Sequence, residues 1–451
     1  MITILKSLDR AGRAGRHILA GAAVLLAFGL QACDSIVDVT DPDIVTPASL
    51  NSEAGIATVR AGSLGDLAVA LSGSAAGHGA TAGLIVMSGL MTDEYDYSGT
   101  FPTRREADTR LLQNTNSTMN RVYENMHRAR AAAEATVDLA AAVGGSSDVV
   151  SEMQSITGYT YVIFAETFCS GVPFSKVPSD GGELIFGDPQ TTEQMFTTAG
   201  GWFDQARASA GGNSQLEYLA RVGKARSLLG LGQISDAAGE VRGIPTEFVY
   251  SIEHSINSRR QENGIYIMTT VRRQYSIAEG KGINGIKFRS ADDPRTPWDG
   301  GTDFGQDDIT LYYNQLKYTS SNAFVPLASG IEARLIEAEA AAQVGKSGEV
   351  ESIHNTLRAT IDLPGLDFSG LSGQALRKAH FDERAFWLYS TLHRQGDLRR
   401  LVRVYGEDVS SVFPWGPYFK GGEYSSDVTF PVPQSELNNP NAQQGCLDRN
   451  P

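Results

Sequence analysis

The sequence predicts a mainly α-helical fold, in which tetratricopeptide-like helix pairs carry loop-rich inserts and a few short strands. Three observations predict it. The first is an internal repeat: Ala220-Arg221, Ala225 and Gly232 recur as Ala333-Arg334, Ala338 and Gly345, at a constant offset of 113 residues. In each copy a helix with small residues on one face ends at glycine, and a second helix follows from Ser235 or Ser347. Small residues at fixed spacing let two helices approach closely. The second observation is the stretch 376–405. Phe386, Tyr389, Leu392, Leu398, Leu401, Val402 and Tyr405 recur there at helical spacing, broken at Gly396. Glu383, Arg384, His393, Arg394, Asp397, Arg399 and Arg400 stand between them, a mixture suited to a core helix that pairs its charges with neighbours. The third is a change of texture in 246–329 and 406–445, where aromatic residues are scattered among Gly, Asp, Asn and Pro.

Taken in order, the first fifty residues are a processing signal and a tether. Lys6, Arg10, Arg13 and Arg16 form a basic region, and an apolar run follows over 18–30. That run is too short to span a bilayer, which needs about 20 residues. It ends in Leu30-Gln31-Ala32-Cys33, which resembles a bacterial lipobox with Cys33 as the lipid-anchored residue. The expected organisation is a lipoprotein signal peptide over 1–32, a tether over 33–50, and a single helical domain over 51–451 with its ligand-loop insert at about 246–329. The membrane is then reached through the N-terminal lipid. Asp34 leaves open which membrane holds it.

Short apolar helices are predicted over 56–71 and 80–90, followed by an acidic-aromatic loop over 92–97. An Ala-rich helix over 120–143 stops at Gly144-Gly145, and another runs over 151–168. Segments 118–168, 216–243, 331–361 and 375–405 make about four helix pairs, too far apart for a regular solenoid. The inserts must therefore fold against the helices. In the larger one, alternating stretches such as Ile265-Tyr266-Ile267-Met268 suggest small strands. Rigid scaffolds usually present function on loops, so binding is expected in the two aromatic-rich excursions.

Composition narrows the function. With 451 residues, net charge −14 and pI near 5.0, the chain gives a nucleic-acid role no electrostatic support. No Gly-x-Ser-x-Gly occurs, no histidine pair has HxxxH spacing and there is no CxxC, so hydrolase elbows and transition-metal sites lack support. No cofactor is expected. The acid-rich run with Asp292, Asp293, Asp299, Asp303, Asp307 and Asp308 offers oxygen ligands for calcium, though not at EF-hand spacing. Paired carboxylates of that run would serve a glycoside hydrolase, the least favoured reading. With Cys33 acylated, Cys169 and Cys446 remain as an even pair in an oxidising compartment. The expectation is a disulfide, contributing on the order of 4–5 kcal/mol by loop closure; two buried free thiols are the alternative.

Two motifs carry a family resemblance. Glu383-Arg384, His393-Arg394 and Asp397-Leu398-x-Arg400 resemble the late-helix signature of the SusD/RagB family, with Leu392 where the family has Gly. Phe430-Pro431-Val432-Pro433-Gln434-Ser435-Glu436-Leu437-Asn438-Asn439-Pro440-Asn441 is similar to that family's C-terminal motif almost letter for letter. Asp293-Pro294-Arg295 matches a shorter one. The resemblance implies a SusD-like fold and a non-enzymatic, surface-exposed, outer-membrane lipoprotein. Such a protein captures a nutrient and acts as the lid of a TonB-dependent (SusC-like) β-barrel transporter. It further implies that an oligosaccharide or peptide ligand meets the loop after the first helices and the large insert, at Tyr95, Tyr97 and Arg104, then Trp298, Tyr312 and Tyr313. Aromatic rings there would stack on a sugar face or peptide while polar neighbours bond its hydroxyls or amides. The alternative is a helical-repeat assembly lipoprotein of the envelope with no small ligand.

Overall fold

Short polar caps and left-handed glycines set the helix boundaries. The computed structural model describes residues 52–77, 81–178 and 182–450; Cys33, the leader and the tether lie outside the described residues. Helices run α1 Glu53–Ser72, α2 Leu84–Met91, α3 Pro102–Asp108, α4 Ser117–Val143, α5 Ser147–Thr167, α6 Thr192–Ser209, α7 Ser214–Gly230 and α8 Ile234–Val241. The short α9 Gly264–Tyr266 precedes α10 Gly330–Gln343, α11 Ser347–Ala359, α12 Gly373–Trp387, α13 Arg394–Arg403 and α14 Val409–Val412. Asn116 caps α4 by accepting from Met119 N, and Ser146 caps α5 through Val149 N. Thr191 and Gln194 close a reciprocal capping box on α6.

The predicted helix pairs are α4/α5, α7/α8, α10/α11 and α12/α13. Gly232 and Gly345, the matched positions of the repeat, have φ of 75° and 77°, so each copy ends its first helix at a glycine in the same left-handed turn. Ala220, Ala225, Ala333 and Ala338 are all buried. Helix α8 packs on α10, which joins the two copies.

Helix α6 was not foreseen, and it wedges between pairs. Its Phe203 ring lies against Gly158 of α5 and Gly223 of α7, where any Cβ would fall inside the ring's contact radius. Phe196 lies against Gly230 in the same way. The three helices can close only because those positions lack side chains.

Strands are short: β1 Gly73–Ser74, β2 Thr81–Ala82, β3 Tyr95–Tyr97, β4 Val172–Pro173, β5 Pro189–Gln190, β6 Val249–Ile252, β7 Tyr275–Ile277, β8 Trp298–Phe304, β9 Leu311–Gln315 and β10 Val325–Ser329. All described sheets are antiparallel pairs: β1 with β2, β3 with β7, β4 with β5, β6 with β10, β8 with β9. Two expectations are corrected here. The second half of the supposed loop over 92–97 is strand β3, held because its backbone pairs with β7 and its tyrosines fill the core. The supposed strand over 265–268 is α9 running into a π-turn, because Asn263 caps it through the amides of Ile265 and Tyr266.

Apart from Arg399, the charged residues of the late stretch are paired with opposite charges inside the protein. Glu383 binds Arg358 and Arg295, and Arg295 also holds Asp293. Arg384 meets Asp397 at 2.8 Å, and Asp397 meets Arg400 at 2.9 Å. Arg400 grips Glu339 of α10 with two bonds of 2.6 and 2.7 Å. Arg394 grips Asp93 with bonds of 2.7 and 2.8 Å, fastening α13 to the residues before β3. His393 lies 3.1 Å from both Glu332 and Arg226, while Arg226 pairs with Glu166 of α5. These ion pairs tie α5, α7, α10, α12 and α13 together, each of the charges named here having a partner on another element.

Cys169 and Cys446 form a disulfide, with their Cα atoms 5.8 Å apart. Backbone bonds reinforce it: Cys169 N donates to Phe430 O, Phe430 N to Thr167 O, and Ser170 N to Asp448 O. The tail is thereby pinned to the end of α5. Phe430 and Val432 of the C-terminal motif enter the core, while Gln434 and Ser435 remain outside.

Candidate functional site

The two aromatic-rich excursions meet over β3 and β7. Hairpin β8–β9 lies against β7, and Tyr313 N donates to Ser276 Oγ at 3.1 Å. In the hairpin turn, Gly305 lies against Ser98 and Asp307 N donates to Ser98 O. From the second excursion Lys420 reaches back to Asp307 at 2.8 Å. Its ammonium also lies 5.4 Å from the Phe419 ring and 5.7 Å from the Tyr97 ring. Ile283 N donates to Trp415 O, tying the base of that excursion to the insert.

The six residues singled out from the sequence divide sharply. Tyr95 and Tyr97 are fully buried: their rings meet Tyr275 edge-on, Tyr95 OH bonds Ser390 Oγ, and Tyr97 OH accepts from Phe101 N. Arg104 is buried on Gln274, with its guanidinium 4.5 Å from the Phe101 ring. Tyr312 is buried and donates to Thr269 O. As placed, these four support the site from beneath and offer no ring or guanidinium to a solute. The expectation that at least one of the six contacts a ligand or the transporter then falls to the remaining two.

Trp298 and Tyr313 do reach the surface. Trp298 is 36% exposed and stands edge-on to the Tyr313 ring, with centroids 5.7 Å apart. Its Nε1 donates to Arg289 O at 3.1 Å, which fixes the indole's orientation. The Arg289 guanidinium carbon lies over Tyr313, 3.4 Å from the ring centroid, and Gly301 approaches the ring's edge. The result is an indole–phenol–guanidinium stack on a hairpin whose first strand is largely exposed. The two excursions and the turn before α3 also expose Phe304 and Phe419, each about half, and Trp415 and Phe101 in part.

Sequence reasoning passed over Asp96. The two-residue period of β3 turns Tyr95 and Tyr97 to the core and Asp96 to the opposite face. Its partner across the ladder is Ser276, the residue whose hydroxyl takes Tyr313 N. No hydrogen bond is made by the Asp96 carboxyl among the described residues. Burial pushes it up to about 7; Asp108 adds to the rise, while Lys281, Arg289 and Lys420 oppose it. Asp108 itself is spent on Lys281 at 2.6 Å, Tyr418 OH at 2.7 Å and Tyr97 N at 3.0 Å. The arrangement therefore supplies an aromatic platform, cations from Arg289 and Lys420, and one carboxyl with hydrogen-bonding capacity to spare. The signal for Asp96 lies in the pairing of β3 with β7, which the three residues Tyr-Asp-Tyr do not show by themselves.

The acid run holds no metal cluster. Asp293 is bound by Arg295, and Asp307 by Lys420, Thr310 and the Ile309 amide. Among the described residues no group of three His, Cys, Asp or Glu side chains comes together as a metal site.

No protein-family model matches the chain, and no curated protein matches it. Solved structures do. A surface glycan-binding protein from Bacteroides uniformis superposes with a TM-score of 0.65 at 13% identity, over 88% of this chain and 99% of its own. A SusD-like carbohydrate-binding protein from Bacteroides fragilis gives 0.63 at 13% identity, over 87% and 99%. A SusD superfamily protein from Bacteroides vulgatus gives 0.61 at 14%, over 86% and 97%. At these identities the likeness is one of fold: this chain has the SusD-like fold.

Proposed function

We propose that this chain is a SusD/RagB-family nutrient-binding lipoprotein, anchored through Cys33 to the outer membrane and exposed at the cell surface. It captures an oligosaccharide or peptide, without catalysing a reaction, and serves as lid to a TonB-dependent β-barrel transporter. The observation that carries this reading is the Trp298–Tyr313–Arg289 stack beside a carboxyl with no hydrogen-bond partner. Planar C–H faces stack on an exposed indole, and hydroxyls bridge a carboxyl and a guanidinium. Support for the family comes from the two sequence motifs and the shared fold, and several proteins of that fold carry carbohydrate-binding descriptions.

The partner is tested by purifying the C-terminally tagged lipoprotein from detergent-solubilised outer membrane of its native host. A stoichiometric large β-barrel protein is the expected companion. Recovery from the inner membrane, or without a barrel, contradicts the reading. One observation favours the helical assembly protein instead: Val177, Leu184, Ile185 and Phe186 are exposed apolar residues on two segments joined by the Lys176–Ile185 bridge. Exposed apolar patches commonly meet a protein partner.

A further inference from the structure

A small cavity lies where α13 crosses α5, α6 and α7. It measures ≈ 10 Å³ and is lined by Arg399, Arg400, Arg403, Glu166, Phe196 and Gly396 among others. That is room for one particle of water size. Arg399 is 2% exposed, and its Nη1 donates to the carbonyls of Ala165 and Phe168. Its Nε and Nη2 have no partner. The neighbouring charges are already committed. Arg400 is held by Glu339 and Asp397, and Arg403 by Glu193 and Gly230 O. Glu166, the one acid lining the cavity, is paired with both arms of Arg226. Arg399 is therefore a buried cation with two idle donors and no carboxylate in salt-bridge contact. A buried charge left in that condition is strongly unfavourable. Burial pushes its guanidinium down to about 9, with Arg403 adding to the fall.

We propose that this cavity binds a monatomic anion, chloride in ordinary salt, against Nε and Nη2 of Arg399. Arg399 supplies the uncompensated positive charge there, since its two guanidinium neighbours are paired with acids. The ion would lock α13 to α5 and α7 at the crossing that the ion pairs also hold. This site is separate from the aromatic stack, and its fate does not depend on the nutrient-binding reading.

Two measurements test it. Crystals of the wild-type protein grown or soaked in sodium bromide should show an anomalous peak within hydrogen-bond reach of Arg399 Nε and Nη2. Thermal melts at fixed ionic strength, with chloride exchanged stepwise for gluconate, should show a saturable single-site rise in Tm with chloride. Bromide should replace chloride, gluconate should not, and Arg399→Met should abolish the dependence. If that variant does not fold, the bromide map and the wild-type melts still decide. No anomalous peak in the cavity, with Tm equal in chloride and gluconate, would mean a water only and overturn the proposal.

Discussion

Leu392 shows how a single residue departs from the pattern around it. It has φ of 64°, a left-handed backbone that costs an L side chain about 1–2 kcal/mol, and the related motif has glycine there. Its side chain is buried in the main core, so packing offsets the strain. Truncation should therefore behave unusually. Leu392→Ala loses the packing and keeps the strain, whereas Leu392→Gly loses the packing and relieves it. Urea unfolding should find the Gly variant more stable than the Ala variant by about 1 kcal/mol, the reverse of the ordinary order. An Ala variant equal to or above Gly would refute the strained conformation. Glu94 gives a second test at this scale. Its carboxyl is buried and accepts from Ser390 N at 2.6 Å; burial pushes it up to about 7. Between the unfolded value, near 4.5, and about 7 the unfolded state ionises first. Stability contributed by protonated Glu94 is thus full below that window and lost as pH rises through it, by on the order of 3 kcal/mol. Asp93 and Asp397 work the other way. Burial pushes both up, but Arg394 holds Asp93, and Arg384 with Arg400 hold Asp397, below the usual carboxylate range. Their contribution is lost as pH falls through the acid range. Stability should peak on the acid side of neutrality, and Glu94→Gln should flatten the alkaline limb of a denaturation-midpoint profile. An unchanged limb would assign the decline elsewhere.

Among the elements, α6 depends most on absent side chains. Phe203 between Gly158 and Gly223 leaves no space for a methyl, so Gly223→Ala must displace the ring or part the helices. Overpacking of this kind costs about 1–3 kcal/mol. Calorimetry should show the loss for Gly223→Ala and none for Gly239→Ala, where a Cβ meets open space. Equal effects would mean that the junction is looser than described. The same helix explains what sequence reading missed. Its apolar positions are interrupted by Thr197, Thr198, Gly200 and Gly201, so periodicity alone does not mark it. The repeat was legible because small residues and a terminal glycine recur at fixed distance. The late stretch was legible because charges stood at core spacing, and all but Arg399 are paired with opposite charges in the core. Strand β3 was not legible: three residues are too few to show alternation, and only pairing with the distant β7 defines it. Once it is a strand, Tyr95 and Tyr97 pass to the core and Asp96 takes the functional face.

At the scale of the molecule, the helical pairs and their buried ions form a frame, and the two excursions meet on it at the aromatic stack. The disulfide and the backbone bonds around Phe430 hold the tail against α5, so the second excursion, 406–445, is fixed at both ends. Lys420 then spans from that excursion to the hairpin turn at Asp307. A ligand held by this protein is expected to sit on that surface. The measurement that tests it most directly is calorimetric titration of the mature protein against a panel of oligosaccharides and peptides, repeated with Trp298→Ala and Asp96→Asn. Asp96→Asn keeps the shape of the side chain and Trp298 is partly exposed, so both variants should fold, and their melting profiles check that they do. The expected result is one ligand class bound by the wild type, weakened about 10-fold or more by Trp298→Ala, with Asp96→Asn removing the pH dependence of binding near 7. A ligand bound equally well by the wild type and by both folded variants would place recognition on another surface and contradict the account.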